Sequence, residues 1–307
     1  MKKSSSFHSL NADEKLNFFG KRLWKFLNLL NNNYSSRRVK GFRLKNFVPE
    51  ISESDRLKIP DKASPSRFLS DLFWMKLNWN SIRSELGEIH VLDSGAGSGK
   101  YGIKINEFSN GISSYTGLDL VSDKKWQSLM ESHPYITMKQ HHSDDILGII
   151  PENINMFVSQ SAIEHFKHDL LYFQQIRQFI YKKRLPVIQV HIFPSAACLK
   201  LYDFHGVRQY TPRTVSSIAS LFNGTEHSST LYNLGGRNCN ELHYRYITEP
   251  LIASKGAVDY RDTRTDEYKQ LLAEAIRKDK AEAEQQHLSA PSFYALVIQS
   301  NFKQPVI

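Results

Sequence analysis

The stretch from Ile89 to Gly102 contains the residues whose types and spacing are best suited to bind a cofactor. An apolar run ends in Asp93, and three glycines follow at alternate positions, Gly95, Gly97 and Gly99. Glycine destabilises the interiors of strands and helices, so this spacing indicates a turn that needs positive φ angles or close backbone approach. A turn of this kind, between a parallel strand and a helix, usually binds the sugar and the phosphate or carboxylate of a cofactor.

Asp119 is a second candidate for cofactor binding. It ends a short predicted strand, residues 114–119, and lies twenty positions after Gly99. A carboxylate at this place can accept hydrogen bonds from both hydroxyls of a ribose, which an amide or a hydroxyl does less well. Its spacing from the glycine turn favours this role over that of a solvated loop acid.

The pattern Asp-x-Gly-x-Gly-x-Gly differs from the dinucleotide-binding fingerprint, whose third glycine would fall at Lys100. It resembles motif I of the class I S-adenosylmethionine-dependent methyltransferases, and the resemblance covers about residues 64–236 and 292–302. The resemblance implies an α/β, Rossmann-like fold. Its sheet would be seven-stranded and mostly parallel, with an antiparallel last strand and helices on both faces.

The same resemblance implies which residues bind S-adenosylmethionine. Family members often have an acid after the third strand that contacts the adenine amino group. Asp144 or Asp145 fits that place here, whereas a stricter alignment puts His142 there. Ser159, near the end of the fourth strand, is a further candidate. The cofactor-binding candidates are Asp93, Gly95, Gly97, Gly99, Asp119, Asp144, Asp145 and Ser159.

Glu164 and His165 are the catalytic candidates, in a segment that resembles the turn after the fourth strand of small-molecule O- and C-methyltransferases. An imidazole titrates near neutral pH, so His165 would be a general base that Glu164 orients. The alternative is that the pair only caps and packs the turn. His191 and His205 are reserve bases. Some quinone-pathway methyltransferases have Glu-x-x-Glu-His here, which is implicated in metal binding; since Ser161 replaces the first glutamate, we predict no metal ion.

Composition and charge limit the class of protein. The chain has 307 residues, of which 40% are hydrophobic and 23% charged, as in globular proteins. It contains no apolar run of the length that spans a membrane. Cys198 and Cys239 form no Cys-x-x-Cys pair and favour a reducing compartment over a structural disulfide. We therefore expect a cytoplasmic protein, with or without peripheral attachment to the inner face of the membrane.

The net charge of +9 is concentrated near the N-terminus, where residues 1–50 contain eleven lysines and arginines and three acids. Asn11 and Glu14 form a potential capping box, which predicts a basic amphipathic helix to about Leu30. Such a helix would bind an anionic membrane surface, or would pack on the catalytic core or a partner chain. We expect residues 31–62 to be an irregular connector.

The rest of the chain reads as one catalytic domain, residues 63–307, after a basic extension of residues 1–62. An insertion is expected at about residues 236–290. The segment that includes Tyr202, Asp203 and His205 is expected to form the acceptor pocket. Helices are predicted at 65–86, 100–110, 169–183 and 265–286, and later strands at 135–140, 154–159, 186–193, 225–232 and 293–302.

The resemblance implies methyl transfer (an EC 2.1.1 type activity) to a small-molecule, lipid-linked or glycan acceptor. A hydroxyl target in bacterial surface-polysaccharide or lipid-linked synthesis is favoured. The chain lacks an Asn-Pro-Pro-Tyr-type turn and a Pro-Cys pair, so methylation of base amino groups or pyrimidine rings is disfavoured. One alternative is an RNA-directed methyltransferase whose extension binds phosphates. The other is a non-catalytic interaction module, which the intact glycine turn disfavours.

Overall fold

The computed structural model describes residues 2–33, 40–202, 204–224, 226–285 and 288–304. Within these ranges eight strands form one sheet. The strands are β1 (Arg43–Phe47), β2 (His90–Ser94), β3 (Ser114–Asp119), β4 (Ile136–Gln140), β5 (Met156–Gln160), β6 (Val187–Pro194), β7 (His227–Leu234) and β8 (Phe293–Ser300). The predicted strands downstream of residue 87 are all present, although Thr225, where the sixth was predicted to begin, lies outside the described residues.

The strand order is β1-β7-β8-β6-β5-β2-β3-β4. All neighbouring pairs are parallel except those of β8, which lies antiparallel between β6 and β7. The predicted α/β fold with an antiparallel last strand is therefore confirmed. The sheet has eight strands instead of the predicted seven, because β1 adds to the edge alongside β7.

The prediction that residues 31–62 are an irregular connector is wrong where this segment is described. It contains β1 and a short helix, Glu53–Leu57, which Ser52 caps through a capping box with Asp55. In β1 the exposed side chains are those of Arg43 and Lys45. Cations on an edge strand discourage pairing with other chains, so the same residues that suggested a connector suit an exposed edge. Residues 34–39 lie outside the described ranges.

Helices cover both faces of the sheet, as predicted. Alternate residues of the central strands point to opposite faces, so that Val91 and Met156 belong to one apolar core and Leu92 and Phe157 to the other. The helices are α1 (Phe18–Asn33), α2 (Glu53–Leu57), α3 (Pro65–Met75), α4 (Trp79–Leu86), α5 (Lys100–Phe108), α6 (Trp126–Ser132), α7 (Asp169–Lys183), α8 (Pro212–Ala219), α9 (Arg237–His243), α10 (Glu249–Ala253), α11 (Tyr260–Thr263) and α12 (Thr265–Gln285). Within the described residues, none of these helices has both the length and the apolar character that a bilayer span requires.

Two predicted helices differ from the structure for local reasons. The single helix predicted at 65–86 is broken, because the Asn78 side chain accepts a hydrogen bond from the Ser81 amide and starts α4 as a new helix. The helix predicted from Asn11 begins instead at Phe18, since the Asn11 side chain bonds the Asp13 amide in a local turn. Ser64 is the N-cap of α3, and Gly87 is the C-cap of α4.

The strand order defines where a ligand should bind. Starting from β2, the chain adds β3 and β4 on one side and then β5 and β6 on the other. The connections leave the carboxyl ends of β2 and β5 in opposite directions, which opens a crevice there. The glycine turn follows β2, and Glu164 and His165 follow β5, so both predicted motifs lie at this crevice.

Candidate cofactor and active site

The three glycines of the turn after β2 all have positive φ, as the spacing predicted. Gly95 is required by contact, because a Cβ at this residue would lie 2.3 Å from the Cβ of Ala162. Gly97 has the opposite surroundings, since no heavy atom of a described residue lies within 4 Å of where its Cβ would be. Gly99 is the N-cap of α5, and a Cβ there would lie 2.5 Å from Leu129. The turn thus holds the backbone close to β5 at one glycine and leaves open space at the next.

The structure brings Asp119 to this turn. Its Oδ2 accepts a hydrogen bond of 2.8 Å from the amide of Gly97, and its Oδ1 accepts one of 3.1 Å from the amide of Val121. An ionised carboxylate can accept about four hydrogen bonds. Asp119 therefore has acceptor capacity left for a ligand, and the turn fixes its position.

Asp119 lines a cavity of about 440 Å³, which we call the Asp119 cavity. It lies between the ends of β2, β3 and β5 and is closed on one side by the N-terminal segment. Leu118, Leu120 and Ile146 supply apolar surface, and His165 lies on the wall. The lining residues are Asn11, Asp13, Glu14, Ser94, Gly95, Leu118, Asp119, Leu120, His141, His142, Ser143, Ile146, Ser161, Ala162, His165, Phe166 and Lys167.

A second cavity, of about 680 Å³, shares Gly95 with the first and lies on the other side of the turn. Five of its lining side chains are cationic and one, Asp93, is a carboxylic acid; we call it the basic cavity. The cations are Lys62, Arg67, Lys100, Lys104 and Arg261. Arg67 is held in place by donating a 2.8 Å hydrogen bond to the hydroxyl of Tyr101. Since Lys62, Lys104 and Arg261 are ion-paired with carboxylates, Arg67 and Lys100 are the cations best placed to attract a ligand with a negatively charged group.

Asp93 is buried beneath the turn. The pKa of its carboxyl group is raised to about 7, mainly by burial and to a smaller extent by the negative charge of Asp119, although a 2.5 Å hydrogen bond from the Tyr115 hydroxyl acts to lower it. That bond reaches Oδ2, whereas Oδ1 has no hydrogen-bond partner among the described residues. Asp93 therefore has a free acceptor at the floor of the basic cavity.

The structure also brings the two catalytic candidates together with residues from elsewhere in the chain. Nδ1 of His165 lies 2.5 Å from Oδ2 of Asp13. The ring centroids of His165 and His205 are 4.5 Å apart. The Glu164 side chain is completely buried, and its Oε1 lies 3.7 Å from Nε2 of His205 and 3.9 Å from Nε2 of His165.

The environment of His165 changes its protonation. Burial acts to lower the pKa of its imidazole, but the hydrogen bond to Asp13 and the charge of Glu164 outweigh burial and raise the pKa above 6.5. The imidazole consequently keeps its proton to higher pH than a free histidine. By contrast, burial lowers the pKa of His191, one of the reserve bases, to about 3.

Other predicted residues lie outside the Asp119 cavity. Ser159 is buried in β5, with its hydroxyl 2.8 Å from Nδ1 of His191. Asp144 is paired with His168 at 2.5 Å, and the exposed Asp145 is also absent from the lining. His142, the alternative from the stricter alignment, does line the cavity.

The acceptor segment predicted after β6 is only partly at the site. His205 reaches the catalytic candidates, whereas Arg208 is buried and donates to the backbone of Phe166 and Lys167. Tyr202 is half-buried, with its hydroxyl hydrogen-bonded to that of Ser66, and Asp203 lies outside the described residues.

Sequence reasoning missed Asp13 and Arg67. Asp13 lies 152 positions before His165, so no local spacing could connect the two. Arg67 was hidden inside a helix that otherwise reads as apolar core. A charged residue in such a helix was the available signal for Arg67, and none existed for Asp13.

No family model matches the chain, and neither does any curated protein. Similar solved structures include the plantazolicin methyltransferase BamL in complex with a triazolic desmethylPZN analog and SAH (14% identity, 76% of this chain and 85% of that chain, TM-score 0.41). They also include SAM-dependent methyltransferases from Archaeoglobus fulgidus (14%, 81% and 100%, 0.44) and Mesorhizobium loti (14%, 72% and 96%, 0.39). These similarities are too low to indicate a shared substrate.

The topology itself decides the fold. The sheet has a Rossmann-like switch point with a glycine turn after the first strand of its core and an acid, Asp119, after the second. The antiparallel β8 between β6 and β7 is the feature that separates this sheet from dinucleotide-binding folds. The chain therefore has the Rossmann-like fold of the class I methyltransferases.

Proposed function

We propose that this protein is an S-adenosylmethionine-dependent methyltransferase that acts on a small-molecule, lipid-linked or glycan acceptor, with a hydroxyl as the target. The observation that carries the proposal is the Asp119 carboxylate, which the Gly97 amide holds at the edge of a cavity. The cavity lies at the crevice beyond the carboxyl ends of β2 and β5, where ligands of this fold class bind.

The residues of the crevice fit such a cofactor. Gly97 leaves space where any other residue would place a Cβ, and Asp93 has an unpaired acceptor oxygen. Asp119 would accept hydrogen bonds from the ribose hydroxyls, while Leu120 and Ile146 would contact the adenine and His142 would lie beside it. The cations of the basic cavity suit the cofactor's carboxylate or an anionic acceptor.

When bound, the cofactor would supply the electrophilic methyl group of its sulfonium, whose carbon would bond to the acceptor oxygen as the carbon–sulfur bond breaks and S-adenosylhomocysteine leaves as a neutral thioether. The protein aligns the acceptor and excludes water. For a hydroxyl acceptor the proton must be removed, and His165 is the base we propose, with Asp13 on Nδ1 holding the ring in orientation. Since this interaction raises the pKa of His165, we expect the base form to predominate only on the alkaline side of pH 6.5.

The cofactor assignment is tested by calorimetric titration of the full chain with S-adenosylmethionine, S-adenosylhomocysteine and, for comparison, NAD. We expect the two sulfur-containing ligands to bind and NAD not to bind. Asp119→Ala should weaken binding at least tenfold, because it removes the acceptor proposed for the ribose.

Asp145→Asn is the matched control, since it changes an exposed acid close to the cavity but absent from its lining. Its affinity should equal that of the unmodified protein. Binding of NAD alone, or equal binding by Asp119→Ala, would contradict the proposal.

We further propose that α1 holds the protein against an anionic membrane surface. The helix packs on the core through Trp24, Asn28 and Asn31, and its apolar side faces outward. Six large hydrophobic side chains are exposed there: Phe18, Phe19, Leu23, Phe26, Leu29 and Leu30. The outward apolar side favours a membrane over packing on the core.

The cations of α1 support the same proposal. Lys21 and Lys25 are exposed and, at 3.6 residues per turn, lie along one border of the apolar side, while Arg22 lies within it. An apolar side with basic residues beside it is the pattern of helices that lie in the plane of an anionic membrane. RNA binding through phosphates requires exposed cations but does not account for the large apolar side chains that lie between these cations.

A further inference from the structure

Glu164, His165 and His205 form a cluster of side chains that could hold a metal ion. One ligand atom from each residue can be chosen so that all three lie within 4.8 Å of one another. A tetrahedral ion with bonds of about 2.1 Å holds its ligand atoms about 3.4 Å apart. The separations of 3.7 and 3.9 Å from the Glu164 oxygen to the two imidazole nitrogens need only a small contraction.

Glu164 provides an independent reason to expect a cation. Its side chain is completely buried, and neither carboxylate oxygen has a hydrogen-bond partner among the described residues. A buried carboxylate without partners is strongly destabilising, and native structures normally satisfy such a group with a charge, a hydrogen bond or a metal ion. The two imidazole nitrogens are too far away for hydrogen bonds, so an ion between the three groups would satisfy it.

The surroundings of His165 match those of metal-binding histidines. Such residues almost always have a carboxylate or carbonyl on the ring nitrogen that does not bind the metal. Asp13 takes this place on Nδ1 of His165 at 2.5 Å, and Nε2 faces Glu164. The contact comes from the N-terminal segment, which therefore completes the site.

The backbone holds the segments that carry the three groups together. The Glu164 carbonyl accepts a hydrogen bond of 2.9 Å from the Val207 amide, which fixes the loop carrying His205 against the turn carrying His165. Gly206, with φ of +65°, makes this approach feasible, since a Cβ there would lie 2.9 Å from the Glu164 carbonyl oxygen. The cluster is thus built by backbone contacts and is not a chance meeting of surface chains.

We propose that Glu164, His165 and His205 bind one divalent transition-metal ion, with Zn²⁺ the best match. Two imidazole nitrogens and one carboxylate suit zinc, and three protein ligands leave a coordination position open, as in catalytic zinc sites. The sequence around Glu164 predicts no metal, because Ser161 is not an acid; the third ligand comes instead from His205, forty residues downstream of His165.

The ion would act on the methyl acceptor. His165 lies on the wall of the Asp119 cavity, so an acceptor hydroxyl entering there could take the open position. With the ion bound, Nε2 of His165 would be a ligand, so the ion would replace His165 in activating the hydroxyl group. Coordination to zinc lowers the pKa of a bound hydroxyl group, which would lose its proton to solvent near neutral pH and supply the oxygen nucleophile. This role rests on the proposed methyl transfer, whereas the binding of the ion does not.

The test is calorimetric titration of ZnCl₂ into full-length protein that has been freed of metal with a chelator, with metal content measured by mass spectrometry. We expect one Zn²⁺ per chain, a higher melting temperature with zinc, and little response to MgCl₂. His205→Ala should weaken zinc binding at least tenfold, and its partly exposed position makes the change tolerable for folding.

His168→Ala is the matched control, because His168 also pairs with a carboxylate at 2.5 Å but lies outside the cluster. It should bind zinc like the unmodified protein. Glu164→Gln should abolish the zinc-dependent rise in melting temperature; if this variant does not fold, His205→Ala decides alone.

Absence of zinc binding, or equal binding by His205→Ala and His168→Ala, would overturn the proposal. Asp119→Ala separates it from the cofactor assignment, since that variant should keep full zinc affinity while losing S-adenosylmethionine.

Discussion

Asp93 shows how a single residue in this crevice can oppose stability. Its carboxyl group has a pKa of about 7 in the folded protein, mainly because of burial, against an ordinary value of 3.8. The folded state therefore binds the proton more tightly than the unfolded state. The stabilising effect of that proton is complete below about pH 4 and is lost as the pH rises toward 7.

We predict that Asp93→Asn makes the protein more stable than the unmodified chain at pH 8, and that the difference shrinks at pH 5. The amide removes a buried charge but still accepts the hydrogen bond of Tyr115. Urea unfolding of both proteins at the two pH values should show a gain at pH 8 that exceeds the gain at pH 5 by at least about 1 kcal/mol. A gain independent of pH would mean that Asp93 ionises normally in the folded state.

The roles of individual residues could be predicted where they follow from neighbouring residues in the sequence, such as a strand that ends nearby. The glycine turn and Asp119 meet as expected, because the turn follows β2, Asp119 ends β3, and these neighbouring parallel strands end at the same edge of the sheet. The contact of Asp13 with the catalytic candidates could not be predicted, and for His205 the sequence indicated only that its segment would lie near the acceptor, not which side chains it would contact. These contacts depend on how distant segments pack, and nothing in the spacing of those residues records this.

At the scale of the element, the glycine turn combines two different requirements. Gly95 is packed against Ala162, whereas Gly97 faces open space in the basic cavity. Both have positive φ, so alanine is strained at either position. Only at Gly95 would the added methyl group also collide with Ala162, in the turn that follows β5.

We predict that Gly95→Ala destabilises the protein by about 2–4 kcal/mol, the sum of strain and overpacking, and that Gly97→Ala costs about 1 kcal/mol. Gly97→Ala should nevertheless weaken S-adenosylmethionine binding more than its small loss of stability suggests, since its methyl group occupies ligand space. Urea unfolding and calorimetric titration of both variants test this. Equal losses of stability would show that Ala162 moves aside freely.

Elements were predictable where both ends carry a local signal. The helix at 169–183 was predicted with the bounds that α7 has; an acid, Asp169, lies in its first turn, and two lysines, Lys182 and Lys183, lie in its last turn, where each charge stabilises the helix end. The strand β1 was missed because its five residues, Arg-Leu-Lys-Asn-Phe, mix cations, an amide and apolar groups without strict alternation in a basic segment, a pattern that is equally typical of a connector. Only its partner, β7, makes it a strand.

At the scale of the whole molecule, the N-terminal region connects two surfaces. Its first part contributes Asp13 to the cluster at His165, and the indole of Trp24 in α1 donates a 3.0 Å hydrogen bond to the carbonyl of Gly206. The side of α1 facing away from the core is apolar and basic. A membrane bound by this helix would therefore lie close to the proposed site of methyl transfer, which suits a lipid-linked acceptor.

We predict that the full chain sediments with vesicles containing anionic phospholipid and not with vesicles of neutral phospholipid alone. A Phe19→Ser, Phe26→Ser double variant should abolish sedimentation without changing the melting temperature, because both side chains are exposed. Leu57→Ser is the control, since it removes an exposed apolar group outside α1. Failure of the unmodified chain to sediment would exclude the membrane proposal.

The position of β8 has a consequence for how the chain is made. Its residues, 293–300, pair with both β6 and β7, and β1 in turn is attached to the sheet only through β7. A nascent chain on the ribosome therefore carries open sheet edges at β6 and β7 from the time each strand is made until residues 293–300 emerge, and its earlier-made β1 has no completed sheet to join. Unpaired edges promote aggregation, and in this fold they are closed only when β8 emerges. We therefore expect the nascent chain to need chaperones most between the synthesis of β7 and that of β8.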